Sequence, residues 1–170
     1  IEPGAGRASS MDDAAYLQAG AQLAGADAVA QAEMVLCVQA PSTGTLLGCK
    51  PHTVVIGMLA PDTDPARAQA FAARQLIAFA LERLPRTTRA QSMDVLSSQA
   101  GMAGYKAVLI AAQLAPRFFP MLTTAAGTMR PCKVLVIGAG VAGLQAIATA
   151  KRLGAQVEGF DVRPETREQI

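Results

Sequence analysis

KVLVIGAGVAGLQAIATAKRLGAQVEGFD, running from Lys133 to Asp161, is the stretch that decides how this chain folds. Lys133 to Ile137 is apolar, β-branched and ended by glycine, the pattern of a short buried strand. Gly138, Gly140 and Gly143 then spell G-x-G-x-x-G. Val141, Leu144, Ala148 and Leu153 follow as the apolar positions of a helix, with Gly154 as its stop. Gln156 to Phe160 reads as a second strand, ended by Asp161.

A lone G-x-G-x-x-G says little, but between a strand and a helix each glycine has a task. Gly138 allows the tight turn out of the strand, Gly140 leaves room for a pyrophosphate to approach the backbone, and Gly143 lets helix and strand pack closely. The helix N-terminus offers N–H groups and the positive end of its dipole to phosphate. Asp161 falls near the spacing of ~20 residues at which an acidic side chain meets the adenine-side ribose. A carboxylate there accepts from ribose hydroxyls and repels a 2′-phosphate, so NAD is favoured over NADP. Arg163 is close enough to weaken that preference. The alternatives are a βαβ turn that holds no nucleotide and an FAD site.

Composition bounds the rest. A chain of 170 residues makes one good domain or parts of two. Apolar residues make up 51% and charged residues 16%, against the usual ~25% charged, which suits a well-buried α/β protein or one with extensive subunit contacts. A net charge of +2 argues for neither nucleic acid nor a membrane surface as partner. Cys37, Cys49 and Cys132 lack metal or redox spacing and read as reduced thiols of an intracellular protein; no metal is expected. No secretory signal is visible at the start. The uncharged run Val134 to Ala150 falls short of the ~18–20 residues of a membrane helix, and glycines and Gln145 interrupt it. A nucleotide-binding fold normally has about six strands, and this chain stops after two of them. It is therefore expected to be a fragment, or ordered only in part.

Taken in order, Ile1 to Ser10 reads as loop and Met11 to Ala24 as a helix. Asp27 to Glu33 reads as a second short helix. Met34 to Val38 reads as a buried strand, followed by a loop through Gly44 and Gly48 to Pro51. Thr53 to Leu59 is the next strand, and Ala66 to Arg74 a helix. Gln75 to Leu81 is a third apolar run, read as a strand. Short strands alternating with helices predict a parallel sheet. The polar segment Leu84 to Asp94, LPRTTRAQSMD, sits where α/β folds place ligands; its bland alternative is a solvated connector in which Asp94 only caps the next helix. That helix runs from about Met93 to Leu114, long enough to join two domains, with Ser97 and Ser98 facing outward from its first turn. Phe118 to Cys132 is a mixed linker.

RAQSMDVLSSQAGMAGYKAV (Arg89 to Val108), FFPMLTTAAGTMRP (Phe118 to Pro131), the glycine stretch and FDVRPETREQ together resemble the NAD(H)-binding α component of proton-translocating NAD(P) transhydrogenase. That component shares its fold with alanine dehydrogenase. The opening, EPGAGRASSMDDAAYLQAGAQL, resembles the same family's N-terminal domain. The resemblance covers essentially the whole chain and lacks the family's first strand and helix and most of the NAD domain beyond Asp161. It implies two parallel-sheet, Rossmann-like domains joined by a long helix: residues 1–92 the N-terminal α/β domain, 93–131 the linking helix and connector, and 132–170 the start of the NAD-binding domain.

The same resemblance implies NAD(H) in the cleft and NADP(H) on a partner component. Arg86, Thr87, Thr88 and Gln91, with Asp94 and Ser97, then lie around the nicotinamide end, and Gln91 bridges toward the partner's NADP(H). Gln91, Asp94 and Ser97 are the residues assigned to catalysis. Gly138, Gly140, Val141, Ala142, Gly143, Asp161, Val162 and Arg163 lie around the pyrophosphate and adenosine. The implied partners are the membrane-spanning and NADP(H)-binding transhydrogenase components and a second copy of the chain. The implied location is cytoplasmic, peripheral on the inner side of the plasma membrane. Direct hydride transfer asks the protein for position rather than for an acid or base, in keeping with a single histidine. Alanine dehydrogenase needs a lysine in a VKEP-like segment and a histidine at the end of the next strand. Here the segments are VQAP, with Gln39, and MLAP, with Met58 and Leu59, and His52 lies before that strand. Alanine chemistry and a non-catalytic NAD-binding module are the competing readings.

Overall fold

The computed structural model describes every residue from Ile1 to Ile170, and the chain divides into two units between Met93 and Asp94. In the first unit three strands, β1 (Met34–Gln39), β2 (Val54–Met58) and β3 (Ile77–Ala80), pair in sequence order, all parallel. The register sets Leu36 beside Ile56 and Ile56 beside Phe79. Parallel neighbours need crossovers. They are supplied by α3 (Thr43–Gly48) and α4 (Pro65–Ala73), after α1 (Asp13–Gln18) and α2 (Ala26–Gln31) at the start of the chain.

One face of this sheet is closed. Leu46 of α3 and Ala70 of α4 bury against Val55 and Leu59, with Val35, Cys37, Phe71 and Ala80 around them. The alternate residues point the other way, and Leu36 and Val38 there are 72% and 86% exposed.

Three elements differ from the sequence reading. The first helix is much shorter than Met11 to Ala24. It starts at Asp13, with Asp12 accepting from the Ala15 N–H at 2.9 Å, and Gly20 at φ +88° turns the chain soon after it ends. The glycine-rich segment after β1 is a helix and not a loop. Ser42 Oγ caps it by accepting from the Thr45 N–H at 3.1 Å, and Leu46, wholly buried, anchors it to the core. The linker before the fingerprint contains an antiparallel hairpin, β4 (Leu122–Thr124) and β5 (Gly127–Met129).

In the second unit α5 (Val95–Leu114) packs along α6 (Val141–Arg152), and α6 lies on a parallel pair, β6 (Lys133–Ile137) and β7 (Gln156–Phe160). Val108, Phe119 and Ala150 form the core, with Ala112, Ala146, Val134 and Val157 around them. The helix read as a connecting rod is thus also a packed layer of the second unit. The approach of α5 to α6 depends on Gly104, where a Cβ would run into the Ala142 carbonyl. At Gly101 a Cβ would meet Val141 Cγ1 at an ordinary 3.9 Å.

Candidate dinucleotide site

The fingerprint turn is built as its glycines predict. Gly138 has φ +98°, a left-handed conformation that costs an L side chain about 1–2 kcal/mol. A Cβ at Gly143 would overlap the Gly138 carbonyl, so strand end and helix start approach only because both are glycine. Gly140, the N-cap of α6, is different: a Cβ there meets nothing within 4 Å. The glycine is not required by the fold at that point and leaves space in front of the helix. No side chain caps α6. The first hydrogen bond of the helix runs from the Leu144 N–H to the Gly140 carbonyl at 2.8 Å, which leaves the N–H groups of Val141, Ala142 and Gly143 without helical acceptors. Open space, unpaired donors and a positive dipole end fit a pyrophosphate.

Asp161 sits at the end of β7, and its side chain is 6% exposed. Oδ2 accepts from the Ala139 N–H at 2.6 Å, and Oδ1 from the Arg163 N–H at 2.9 Å. The Arg163 guanidinium folds over the same carboxylate, with Nε 3.0 Å from Oδ1 and Nη2 3.0 Å from Oδ2. The Arg163 contact, followed by the two backbone N–H groups, holds the Asp161 carboxyl far below the usual carboxylate range. The acid is thus ionised and already ties the glycine turn to the end of the second strand. Arg163, which the sequence places only nearby, is a direct partner that neutralises Asp161. Ala139, buried between Gly138 and Gly140, does not stand out in the sequence, although the first x of G-x-G is where such an N–H falls. Val141 and Val162 are exposed, at 48% and 84%, while Ala142 is half-buried.

The other set of residues lies around the boundary between the units. Arg86, Thr87, Thr88 and Gln91 are exposed on a loop of the first unit. Two short bonds shape it, Thr87 N–H to the Pro85 carbonyl at 2.9 Å and Ala90 N–H to the Thr87 carbonyl at 3.0 Å, and the buried Ala90 pins it. Asp94 and Ser97 belong to the second unit. Asp94 is the N-cap of α5: Oδ1 accepts from the Ser97 N–H at 3.0 Å and Oδ2 from the Ser97 hydroxyl at 2.6 Å. Ser97 therefore turns back onto its cap instead of facing outward as expected, while Ser98 is exposed.

The positions that separate alanine chemistry from its alternatives are also defined. Gln39 ends β1 beside Met58, Leu59 is buried in the sheet core, and His52 lies before β2 with its N–H on the Gln75 carbonyl. No helix is long and apolar enough to cross a membrane.

Residues 1–103 match the family model described as Alanine dehydrogenase/PNT, N-terminal domain, and residues 107–170 match Alanine dehydrogenase/PNT, C-terminal domain. The chain is 49% identical to the first of the polypeptides that make up NAD(P) transhydrogenase subunit alpha in Rhodospirillum rubrum, over all of this chain and 46% of that one. It is 30% identical to alanine dehydrogenase of Bacillus subtilis, over all of this chain and 45% of that one. Among solved structures, the transhydrogenase of Sinorhizobium meliloti superposes with a TM-score of 0.96 at 49% identity, covering 99% of this chain and 51% of that chain. The chain thus spans about half the length of these relatives.

Proposed function

Because the chain belongs to the Alanine dehydrogenase/PNT family, we propose that it is the NAD(H)-binding part of a proton-translocating transhydrogenase. It would exchange hydride between its own NAD(H) and NADP(H) held by a partner component. The observation that carries the reading is the glycine turn: uncapped α6 donors open to a phosphate, with an ionised Asp161 at the end of the next strand.

In this reading residues 1–92 form the N-terminal domain, 93–131 the connector and 132–170 the opening of the NAD domain. NADH, once bound, supplies the hydride. The chain's own residues orient it. Backbone N–H groups of Val141, Ala142 and Gly143 hold the pyrophosphate. Asp161 and Arg163, with Val162, hold the adenosine end. Arg86, Thr87, Thr88 and Gln91, with Asp94 and Ser97, hold the nicotinamide, and Gln91 reaches toward the partner's nucleotide. Hydride transfer between two held rings needs contact and alignment rather than proton transfer. The membrane-spanning and NADP(H)-binding components would be its partners, in a complex of homodimers on the cytoplasmic face of the membrane.

Alanine oxidation is the second reading, supported by the family and by the Bacillus relative. Gln39, Met58 and Leu59 weigh against it, because none can hold a substrate carboxylate as an ion pair or act as acid and base at neutral pH.

The test uses the full-length parent of this chain. NADH and NADPH binding are followed by fluorescence titration, and a purified NADP-binding partner component is then added. Tight NADH binding, weak NADPH binding and exchange only with the partner present are expected, together with an exchange rate that falls in Gln91→Asn. Equal affinity for both cofactors would overturn the role of Asp161. NADH binding with alanine oxidation and no exchange would overturn the reading as a whole.

A further inference from the structure

Behind the Arg86–Met93 loop the first unit carries a polar network that the nucleotide reading does not use. β2 ends in Leu59 and Ala60, and Ala60 has φ +46°, a left-handed conformation that a residue with a Cβ rarely adopts. The two successive N–H groups at this bend converge on one side chain. Glu82 Oε2 accepts from the Leu59 N–H at 3.2 Å, and Oε1 accepts from the Ala60 N–H. A pair of adjacent backbone donors around a left-handed residue makes a small anion-binding concavity. Here the anion is supplied by the chain itself.

The bend is held from its other side as well. Arg67 donates from Nη1 to the Leu59 carbonyl at 2.9 Å, pairs through Nη2 with Asp64 at 3.1 Å, and leaves its buried Nε without a partner. Arg83, next to Glu82, pairs with Asp62 of the same β2–α4 loop. Cys37 of β1 lies close enough that its thiol is pushed up, by burial first and by the Glu82 charge second. Glu82 and Arg83 form the short 3₁₀ turn Leu81–Arg83 after β3, and Arg86 follows a few residues later. The same turn thus fixes the end of β2 and launches the loop that carries Arg86, Thr87, Thr88 and Gln91.

We infer that Glu82 is a positioning residue: by binding the Leu59 and Ala60 N–H groups it locks the β3 exit to the β2 end and sets the Arg86–Met93 loop for hydride transfer. It touches neither nucleotide. The functional half of this inference rests on the transhydrogenase reading; the clamp itself does not. Losing the clamp frees a strained Ala60 to relax, and the loop anchored on the same turn shifts with it. A displacement of about 1 Å at a reacting pair costs about 100-fold in rate.

Glu82→Gln keeps the size of the side chain but places an amide N–H₂ against one of the two backbone donors. Two measurements on the full-length parent are made on this variant and on Asp62→Asn, which breaks only the exposed Arg83 pair. The first is limited trypsin digestion, reading cleavage after Arg86 and Arg89. The second is NADH affinity together with the rate of hydride exchange with the partner component. Glu82→Gln should raise loop cleavage at least tenfold and lower the exchange rate about 10–100-fold, with NADH affinity changed less than threefold. Asp62→Asn should stay within twofold of wild type in both. Unchanged cleavage in Glu82→Gln overturns the clamp. Raised cleavage with an unchanged exchange rate overturns the positioning role, leaving a merely structural side chain. If wild type itself exchanges no hydride, the transhydrogenase reading and the positioning role fall together, and digestion alone decides the clamp.

Discussion

Replacing Gly104 by alanine sets two well-known effects against each other in the middle of α5. In an exposed helix interior, glycine to alanine is stabilising by about 1 kcal/mol, because alanine loses less backbone freedom on folding. At Gly104 the new Cβ would lie inside contact distance of the Ala142 carbonyl on α6. That atom belongs to backbone inside a hydrogen-bonded helix and cannot rotate away, so the crossing must open by roughly an ångström, an overpacking cost of up to about 3 kcal/mol. The balance is a net loss of about 2 kcal/mol, or a fall in Tm of about 4–8 °C for a protein of this size. Gly101 is the internal comparison. Its Cβ would make only an ordinary contact with Val141 Cγ1, so Gly101→Ala should raise Tm by about 2–4 °C through propensity alone. Thermal unfolding followed by circular dichroism reads both. The reasoning is refuted if the two variants shift Tm in the same direction, since the argument rests on the different surroundings of two glycines in one helix.

Gly140→Ala should leave Tm within about 1–2 °C of wild type, because its Cβ meets no protein atom, while weakening NADH at least tenfold, about 1.4 kcal/mol; unchanged affinity would mean that the phosphate does not enter there. Asp161→Asn should narrow the ratio of NADPH to NADH dissociation constants about tenfold in fluorescence titrations, and an unchanged ratio would remove Asp161 from cofactor selection. The same variant carries a pH signature. A carboxyl whose folded value is depressed contributes stability that is fully present above its unfolded value of about 3.9 and is lost as pH falls toward the folded value. The stability difference between wild type and Asp161→Asn should therefore be constant from about pH 5 to 8 and shrink below about pH 4 in denaturant titrations; a difference that changes around neutrality would contradict it.

The glycine stretch is legible in the sequence because its constraints are local. Strand, turn, helix and second strand follow one another within Lys133–Asp161, and each position needs only its neighbours to be read. The polar loop is legible as a loop for the same reason. What escapes depends on distant partners. The segment TGTLLG looks like a loop until Ser42 is seen to cap it and Leu46 to plug the core. The β4–β5 hairpin lacks the Asn-Gly or Asp-Gly pair that marks a two-residue turn. Asp161 stands out by its spacing, but its state depends on Arg163 folding back over it, which spacing alone does not decide. Glu82 reads in the sequence as one more acidic residue after a strand; only the fold brings the Leu59 and Ala60 N–H groups to it.

Asp161 meets any ribose with its coordination already full. The Ala139 N–H and three donors of Arg163 share its two oxygens. Binding at the adenosine end is therefore a substitution of partners and not an addition: a hydroxyl that reaches the carboxylate does so as a guanidinium donor withdraws. The enthalpy of that swap is close to balanced. The adenosine half of the cofactor should then govern which nucleotide enters far more than how tightly it is held, and the grip should come from the phosphates at the bare end of α6.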